Sequence, residues 1–243
     1  MTTAHAAHVR LFRSLHTPSA PLALANAWDA ASARVVEAAG APALATTSAG
    51  VAWALGSPDG NTLDRDRAVA ALAQVTAAVT VPVTADLEDG TRPPADFAAH
   101  LTTARTAADE AGTDLFLNAR IDTYLLGLGT PEHRLTETLP RAHGYVAAGA
   151  DGIFVPGVTD PGTIRALAAE IPVPLNVMAG PGAPSVAELG RLGVARVSLG
   201  SGVAQAAYAA ARRGVRELLD GGTYEALAEA VPYPEMQGLL AAR

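Results

Sequence analysis

Two acidic residues near the middle of the chain carry the strongest chemical signal. In the segment VTADLEDG, residues 83–90, Asp86 and Glu88 are separated by one residue. Along an extended strand that spacing puts both carboxylates on one side. Two carboxylates facing one cavity repel unless a proton or a cation lies between them. A hard cation with oxygen ligands, Mg²⁺ or Mn²⁺, satisfies them. The alternative is an acidic turn that caps the following helix, and both readings stand at this level. A second segment, FLNARIDTYLLG, places Arg120 between Asn118 and Asp122 at the same two-residue spacing. Arg120 suits bidentate binding of a carboxylate or phosphonate, with Asn118 beside it as a substrate contact. It suits equally well an ion pair with Asp86 or Glu88. A third, TTSAGVAWALGSPDG, ends an apolar run in small hydroxyl residues and Gly50, which can turn backbone N–H groups toward an anion. Asp59 follows on a Pro-Asp-Gly turn, where an aspartate is ordinarily a turn residue. GIFVPG and NVMAGPGAP read as tight loops after strands. The histidines (His5, His8, His16, His100, His133, His143) fall in helical patterns or the N-terminal segment, and they suggest neither a zinc site nor a catalytic triad.

The segments that must position these residues alternate. The runs PLALAN, ALATTS, VPVTADL, LFLNARI, DGIFVPG, PLNVMAG and ARVSLG are short and β-prone. Helical patterns over 30–40, 64–80, 94–112, 131–149, 160–171 and 185–193 separate them, and a longer one covers 203–219. Asp160-Pro161 and Ser185 are helix start signals, and Gly40, Gly112 and Gly193 are stops. Alternating strands and helices imply parallel strands with helical crossovers. Apolar rather than alternating strand runs imply a sheet covered on both faces. The polar residues cluster just after the strands: Asp29, Thr46 to Ser48, Asp86 to Asp89, Arg120 to Asp122, and Ser198 with Ser201. In a parallel barrel these ends share the face where active sites form.

The 243 residues, 49% hydrophobic and 17% charged, fit one α/β domain over 1–243 with a C-terminal helical extension. A formal charge of -7 argues against a nucleic-acid partner. No apolar run reaches membrane-span length, and the N-terminal segment lacks the core of a signal peptide, so a cytoplasmic location is expected. Cysteine and lysine are both absent. Disulfides, thiolate chemistry and Schiff-base catalysis are thereby excluded. A metal or an arginine must then polarise any carbonyl.

Taken together, NAWDAASARVVEAAG, TTSAGVAWALGSPDG, VPVTADLE, LNARIDTYLLG, GADGIFVPG, PLNVMAGPG and GVARVSLGSG resemble, in order and across nearly the whole chain, the isocitrate lyase/phosphoenolpyruvate mutase superfamily. The resemblance implies a TIM-type (β/α)₈ barrel. It implies Mg²⁺-dependent cleavage or formation of a C–C or P–C bond beside a 2-oxo acid enolate. It also implies homo-oligomers, dimers or tetramers, with a C-terminal helix exchanged between subunits. Asp86 matches the aspartate that touches the metal, and Glu88 and Asp59 match acidic residues that hold it through water. Thr47, Ser48 and Ala49 match the loop that takes the substrate carboxylate. Arg120 matches the active-site arginine, and with Asp59 it is assigned a catalytic part.

Three departures narrow the expectation. The lyase signature Lys-Lys-Cys-Gly-His is absent, which argues against isocitrate or methylisocitrate cleavage. Where the mutase carries a histidine, this chain reads Val155-Pro156-Gly157, which argues against phosphoryl transfer. One segment, Ala85 to Gly90, serves where the family has two separate strand ends. About one βα unit, on the order of 30 residues, is therefore missing around residues 86–92, and the barrel is expected to be incomplete or rearranged at its third and fourth strands. The expected function is Mg²⁺-dependent C–C cleavage, by retro-aldol reaction or decarboxylation, of a small 2-oxo or 2-hydroxy carboxylate. The alternative is a non-catalytic or repurposed barrel that binds a carboxylate metabolite or a partner subunit.

Overall fold

The computed structural model describes residues 3–87 and 92–241. In chain order the elements are α1 (Thr3–Ser14), β1 (Leu22–Ala27), α2 (Ala30–Ala38), β2 (Leu44–Thr46), α3 (Ser48–Ala54), α4 (Arg65–Ala78), β3 (Val83–Thr84) and α5 (Pro94–Glu110). They continue with β4 (Asn118–Arg120), α6 (Arg134–Ala147), β5 (Gly152–Val155), α7 (Pro161–Glu170), β6 (Leu175–Met178), α8 (Val186–Arg191), β7 (Arg196–Ser198), α9 (Gly202–Gly221) and α10 (Tyr233–Ala241). Every strand pairing is parallel, and the hydrogen-bonded order is β3-β2-β1-β7-β6-β5-β4. Each of the seven β-prone runs thus supplies one strand. Among the described residues β3 and β4 end the order, which is where the missing βα unit was expected.

The start signals work as expected. The Asp160 side chain accepts from Thr163 N at 2.7 Å with Pro161 in the first turn. Ser185 and Glu188 form a reciprocal capping box. Gly193 ends α8 at φ 97°, and a Cβ there would lie 2.8 Å from that of Ala168, so neither the backbone nor the space admits a side chain. Two elements differ from the sequence reading. The N-terminal segment forms α1. The hydroxyl-rich end of ALATTS turns into α3, because Thr47 leaves the strand and caps the helix through Gly50 N. Consequently β2 ends at Thr46, and β3 shrinks to two residues.

The chain divides into two compact units. One comprises residues 1–24 and 88–198. Its strands run from Leu22–Leu24 of β1 through β7, β6 and β5 to β4. Ile153, Val155, Ile164, Leu167, Leu175 and Val177 fill its core. The register aligns Arg120, Phe154, Asn176 and Arg196 in one row across four strands, so these side chains share one sheet face. α1 is fastened by Asp151, which accepts from Arg13 at 2.8 Å, from Arg105, and from Leu117 N at 2.8 Å. Beside it His16 stacks on Phe116 with centroids 4.4 Å apart and meets Phe12 edge-on. Burial drops the His16 pKa to about 4, so the ring is neutral, with Nδ1–H donating to Phe12 O at 2.8 Å.

The other unit comprises residues 25–87 and 199–243. Ala25–Ala27 of β1, with β2 and β3, form its sheet, over a core of Ala27, Ala33, Val36, Leu44 and Val75. α10 is tied to α2 by Arg34 Nε, which donates to Leu239 O at 2.7 Å. Along α9 and beyond it Val215, Leu218, Leu219, Tyr224 and Tyr233 are exposed.

Candidate active site

Asp86, expected to bind metal, and Ser48, expected to bind carboxylate, meet at the end of β2. Thr46, the last residue of β2, is buried, and its Oγ1 accepts from Asp86 N at 2.9 Å. That bond fixes the backbone just beyond β3 and turns the Asp86 side chain toward the first residue of α3. Ser48 N–H and Ser48 Oγ–H both donate to Asp86 Oδ2, at 3.3 Å and 3.0 Å. Asp86 is therefore held by the very donors that the sequence reading gave to a substrate carboxylate. Thr47 and Ala49 are buried on either side. Gly50 has no room for a side chain, because a Cβ would fall 2.6 Å from Thr47 Cγ2 and 2.9 Å from Trp28 Cβ.

Asp59 is exposed in a bend after α3. Glu88 lies outside the described residues. Asn118 and Arg120 belong to the other compact unit, where they open and close β4. Asn118 lies over Gly152, whose Cβ would come within 2.9 Å of Asn118 Oδ1. Arg120 Nε donates to Asp122 Oδ1 at 2.6 Å, and the Asp122 side chain is only 1% exposed. The structure shows an ion pair of Arg120 with Asp122. A buried carboxylate requires such a partner, and the pair holds the guanidinium, 23% exposed, in a fixed direction.

Sequence reasoning passed over Asn26. This side chain is buried in β1, donates from Nδ2 to Thr46 O at 2.9 Å, and accepts from Leu199 N at 3.1 Å. The available signal was an asparagine inside an apolar strand run, a position from which asparagine is depleted. Asn176 and Arg196, buried in β6 and β7, carried the same signal.

Among the described residues no three His, Cys, Asp or Glu side chains cluster as a metal cage. Mg²⁺ does not need one. It keeps several waters and takes one or two carboxylates. The donors gathered here, the Asp86 carboxylate with the Ser48 and Thr46 hydroxyls, are all oxygen, as a hard cation requires. The set fits Mg²⁺ or Mn²⁺ and does not fit a thiolate- or imidazole-seeking metal.

The family model for phosphoenolpyruvate phosphomutase matches residues 12–102 and 90–219. The chain belongs to this family. The match is in two pieces that overlap at 90–102, so it breaks where one segment serves for two strand ends. An uncharacterized protein of Mycobacterium tuberculosis is 38% identical over 255 aligned positions, covering 94% of this chain and 95% of its own. An alignment longer than the chain contains gaps; roughly 27 positions of that relative have no counterpart here, enough for a helix and a short strand. A Burkholderia cenocepacia J2315 protein named as a candidate lyase/mutase superposes with a TM-score of 0.90 at 33% identity, covering 99% of this chain and 98% of its own. A second from that organism, named as a candidate phosphonomutase, gives 0.82 at 41% identity, with 86% and 99% covered. More distant structures share the fold: 2,3-dimethylmalate lyase (TM-score 0.81, 21% identity) and a phosphonopyruvate hydrolase complex with oxalate and Mg²⁺ (0.76, 20%). The fold is therefore the TIM-type fold of the phosphoenolpyruvate mutase/isocitrate lyase superfamily, whose members include C–C lyases and mutases. No helix among the described residues is long and apolar enough to cross a membrane.

Proposed function

We propose that this family member is a Mg²⁺-dependent lyase that cleaves a C–C bond of a small 2-oxo or 2-hydroxy carboxylate through a pyruvate-like enolate. The observation that carries this reading is the Asp86 carboxylate held against the N-terminal turn of α3 by Ser48 and anchored through Thr46. When bound, the cation supplies a Lewis acid that polarises the 2-oxo group. Asp86 would hold it directly, with Glu88 and Asp59 assigned to hold it through water. Ser48 N–H and Oγ–H, with Thr47 and Ala49 in the same turn, would take a substrate carboxylate. Oriented donors of this kind stabilise negative charge without reorganising at the moment of reaction. Arg120, directed by Asp122, supplies the positive charge that stabilises the developing enolate or the leaving carboxylate, and Asn118 is assigned a supporting substrate contact.

The absence of lysine and cysteine supports this choice, since Schiff-base and thiolate catalysis lack their nucleophile. A distant structural neighbour that carries oxalate and Mg²⁺ supports the metal and the ligand class. The exposed apolar side chains of α9 and the segment after it suit a homo-oligomer, dimer or tetramer. The test is a screen of 2-oxo and 2-hydroxy di- and tricarboxylates with Mg²⁺, read by coupled detection of pyruvate, with Asp86→Ala as control. Mg²⁺-dependent turnover lost in Asp86→Ala is expected. Ligand-dependent stabilisation with no product from any substrate would favour the carboxylate-binding, non-catalytic reading instead.

A further inference from the structure

The hydrogen bonds around Asn26 form one continuous chain. Leu199 N–H donates to Asn26 Oδ1 at 3.1 Å, and Asn26 Nδ2–H donates to Thr46 O at 2.9 Å. Thr46 Oγ1 accepts from Asp86 N at 2.9 Å, and Ser48 donates to Asp86 Oδ2. The side chain is only 4% exposed. Its amide orientation is dictated by its partners, because the oxygen must face an N–H and the nitrogen a carbonyl. A hydrocarbon satisfies neither partner, and an ionised carboxylate only the first.

We propose that Asn26 is a positioning residue for the metal and carboxylate site. It holds the Thr46 peptide so that the hydroxyl of Thr46 fixes Asp86 beside Ser48. The chain of bonds also couples the loop that opens α9, at Leu199, to this turn. The inference rests on the reading of the site given above, and deepens it by naming what sets its geometry. Small displacements matter there, because misplacing a catalytic group by about 1 Å costs on the order of 100-fold in rate.

Asn26→Asp turns the proposal into a pH signature. The new carboxyl accepts from Leu199 N–H, but it must be protonated to donate to Thr46 O. Burial and the facing carbonyl push its pKa up from about 4. Protonated, it reproduces the asparagine pattern; ionised, it repels the Thr46 carbonyl. The experiment titrates Mg²⁺ plus oxalate into the full chain at pH 5 and pH 8, following the fluorescence of Trp28 and Trp53, with circular dichroism to establish that each variant is folded. Relative to the wild-type protein at the same pH, Asn26→Asp is expected to bind within about threefold at pH 5 and at least about tenfold more weakly at pH 8. Folded Asn26→Asp that matches wild-type affinity at both pH values overturns the positioning role, since a purely structural asparagine alters stability and leaves affinity alone. Should Asn26→Asp unfold at pH 8, Asn26→Ser provides the reading: a folded protein at least about tenfold weaker supports the proposal, and wild-type affinity overturns it. A wild-type protein that binds no oxalate with Mg²⁺ refutes the metal and carboxylate reading itself, a result distinct from failure of the variant alone.

Discussion

Gly50→Ala sets helix propensity against packing, and the structure decides which prevails. Gly50 lies in the first turn of α3, where alanine is intrinsically better than glycine by about 1 kcal/mol. The added methyl would, however, fall 2.6 Å from Thr47 Cγ2, 2.9 Å from Trp28 Cβ and 3.4 Å from Ala204 Cβ. Two of these atoms are β-carbons and move only with their backbones. Thr47 can rotate away only by abandoning the cap its hydroxyl gives to Gly50 N, worth about 1 kcal/mol. Overpacking of a tight site costs about 1–3 kcal/mol. The opposing terms leave a net loss of roughly 1–3 kcal/mol. Gly144 in α6 provides the control, because a Cβ there meets nothing within 4 Å. Gly144→Ala is expected to stabilise by about 0.5–1 kcal/mol. Urea unfolding followed by tryptophan fluorescence measures both, and a gap of about 2–4 kcal/mol between the variants is expected. Gly50→Ala as stable as the wild-type protein would refute the close packing of Thr47 and Trp28 around α3. The folded variant should also bind oxalate with Mg²⁺ more weakly, because Thr47 and Ser48 begin the displaced turn.

Two further predictions concern the unit that holds α1. Asp151→Ala removes the common acceptor of Arg13, Arg105 and Leu117 N, so a loss of about 2–3 kcal/mol is expected in urea unfolding; a change within about 0.5 kcal/mol would show that Asp151 does not hold α1 in place. His16 takes up a proton at about pH 4 when folded and near 6.5 when unfolded. As pH falls below 6.5 the unfolded state therefore binds the extra proton, and stability drops until the folded ring also titrates near pH 4. The His16 contribution lost between pH 7 and pH 4 is about 3 kcal/mol. It should appear as an excess acid sensitivity of the wild-type protein over His16→Phe; parallel stability curves for the two would contradict a buried neutral ring.

The strands were legible because all seven lie in short apolar runs, most of whose strand residues are buried, so composition alone betrays them. Helix starts such as Asp160 and Ser185 were legible because capping is local, acting over three residues. α3 was hidden because Thr46, Thr47 and Ser48 suit a strand end and a helix cap equally well, and tertiary bonds to Asp86 and Asn26 settle where the strand stops. Asp86 was found through its charge and spacing. Asn26 was not, because its partners stand far off in sequence, at Thr46 and Leu199. The Arg120–Asp122 pair was not singled out, because a two-residue spacing suggests a shared face without saying which side chains meet.

The central claim is that Asp86 and the α3 turn form a site for a cation and a 2-oxo carboxylate together. Thermal unfolding with Mg²⁺, with oxalate, and with both tests it most directly, because oxalate mimics the pyruvate enolate and a ligand at about 100 times its Kd stabilises by about 2.7 kcal/mol. Stabilisation by the pair well beyond the sum of the separate effects, lost in Asp86→Asn, is the expected result. No joint stabilisation, or the same joint stabilisation in Asp86→Asn, would contradict the assignment.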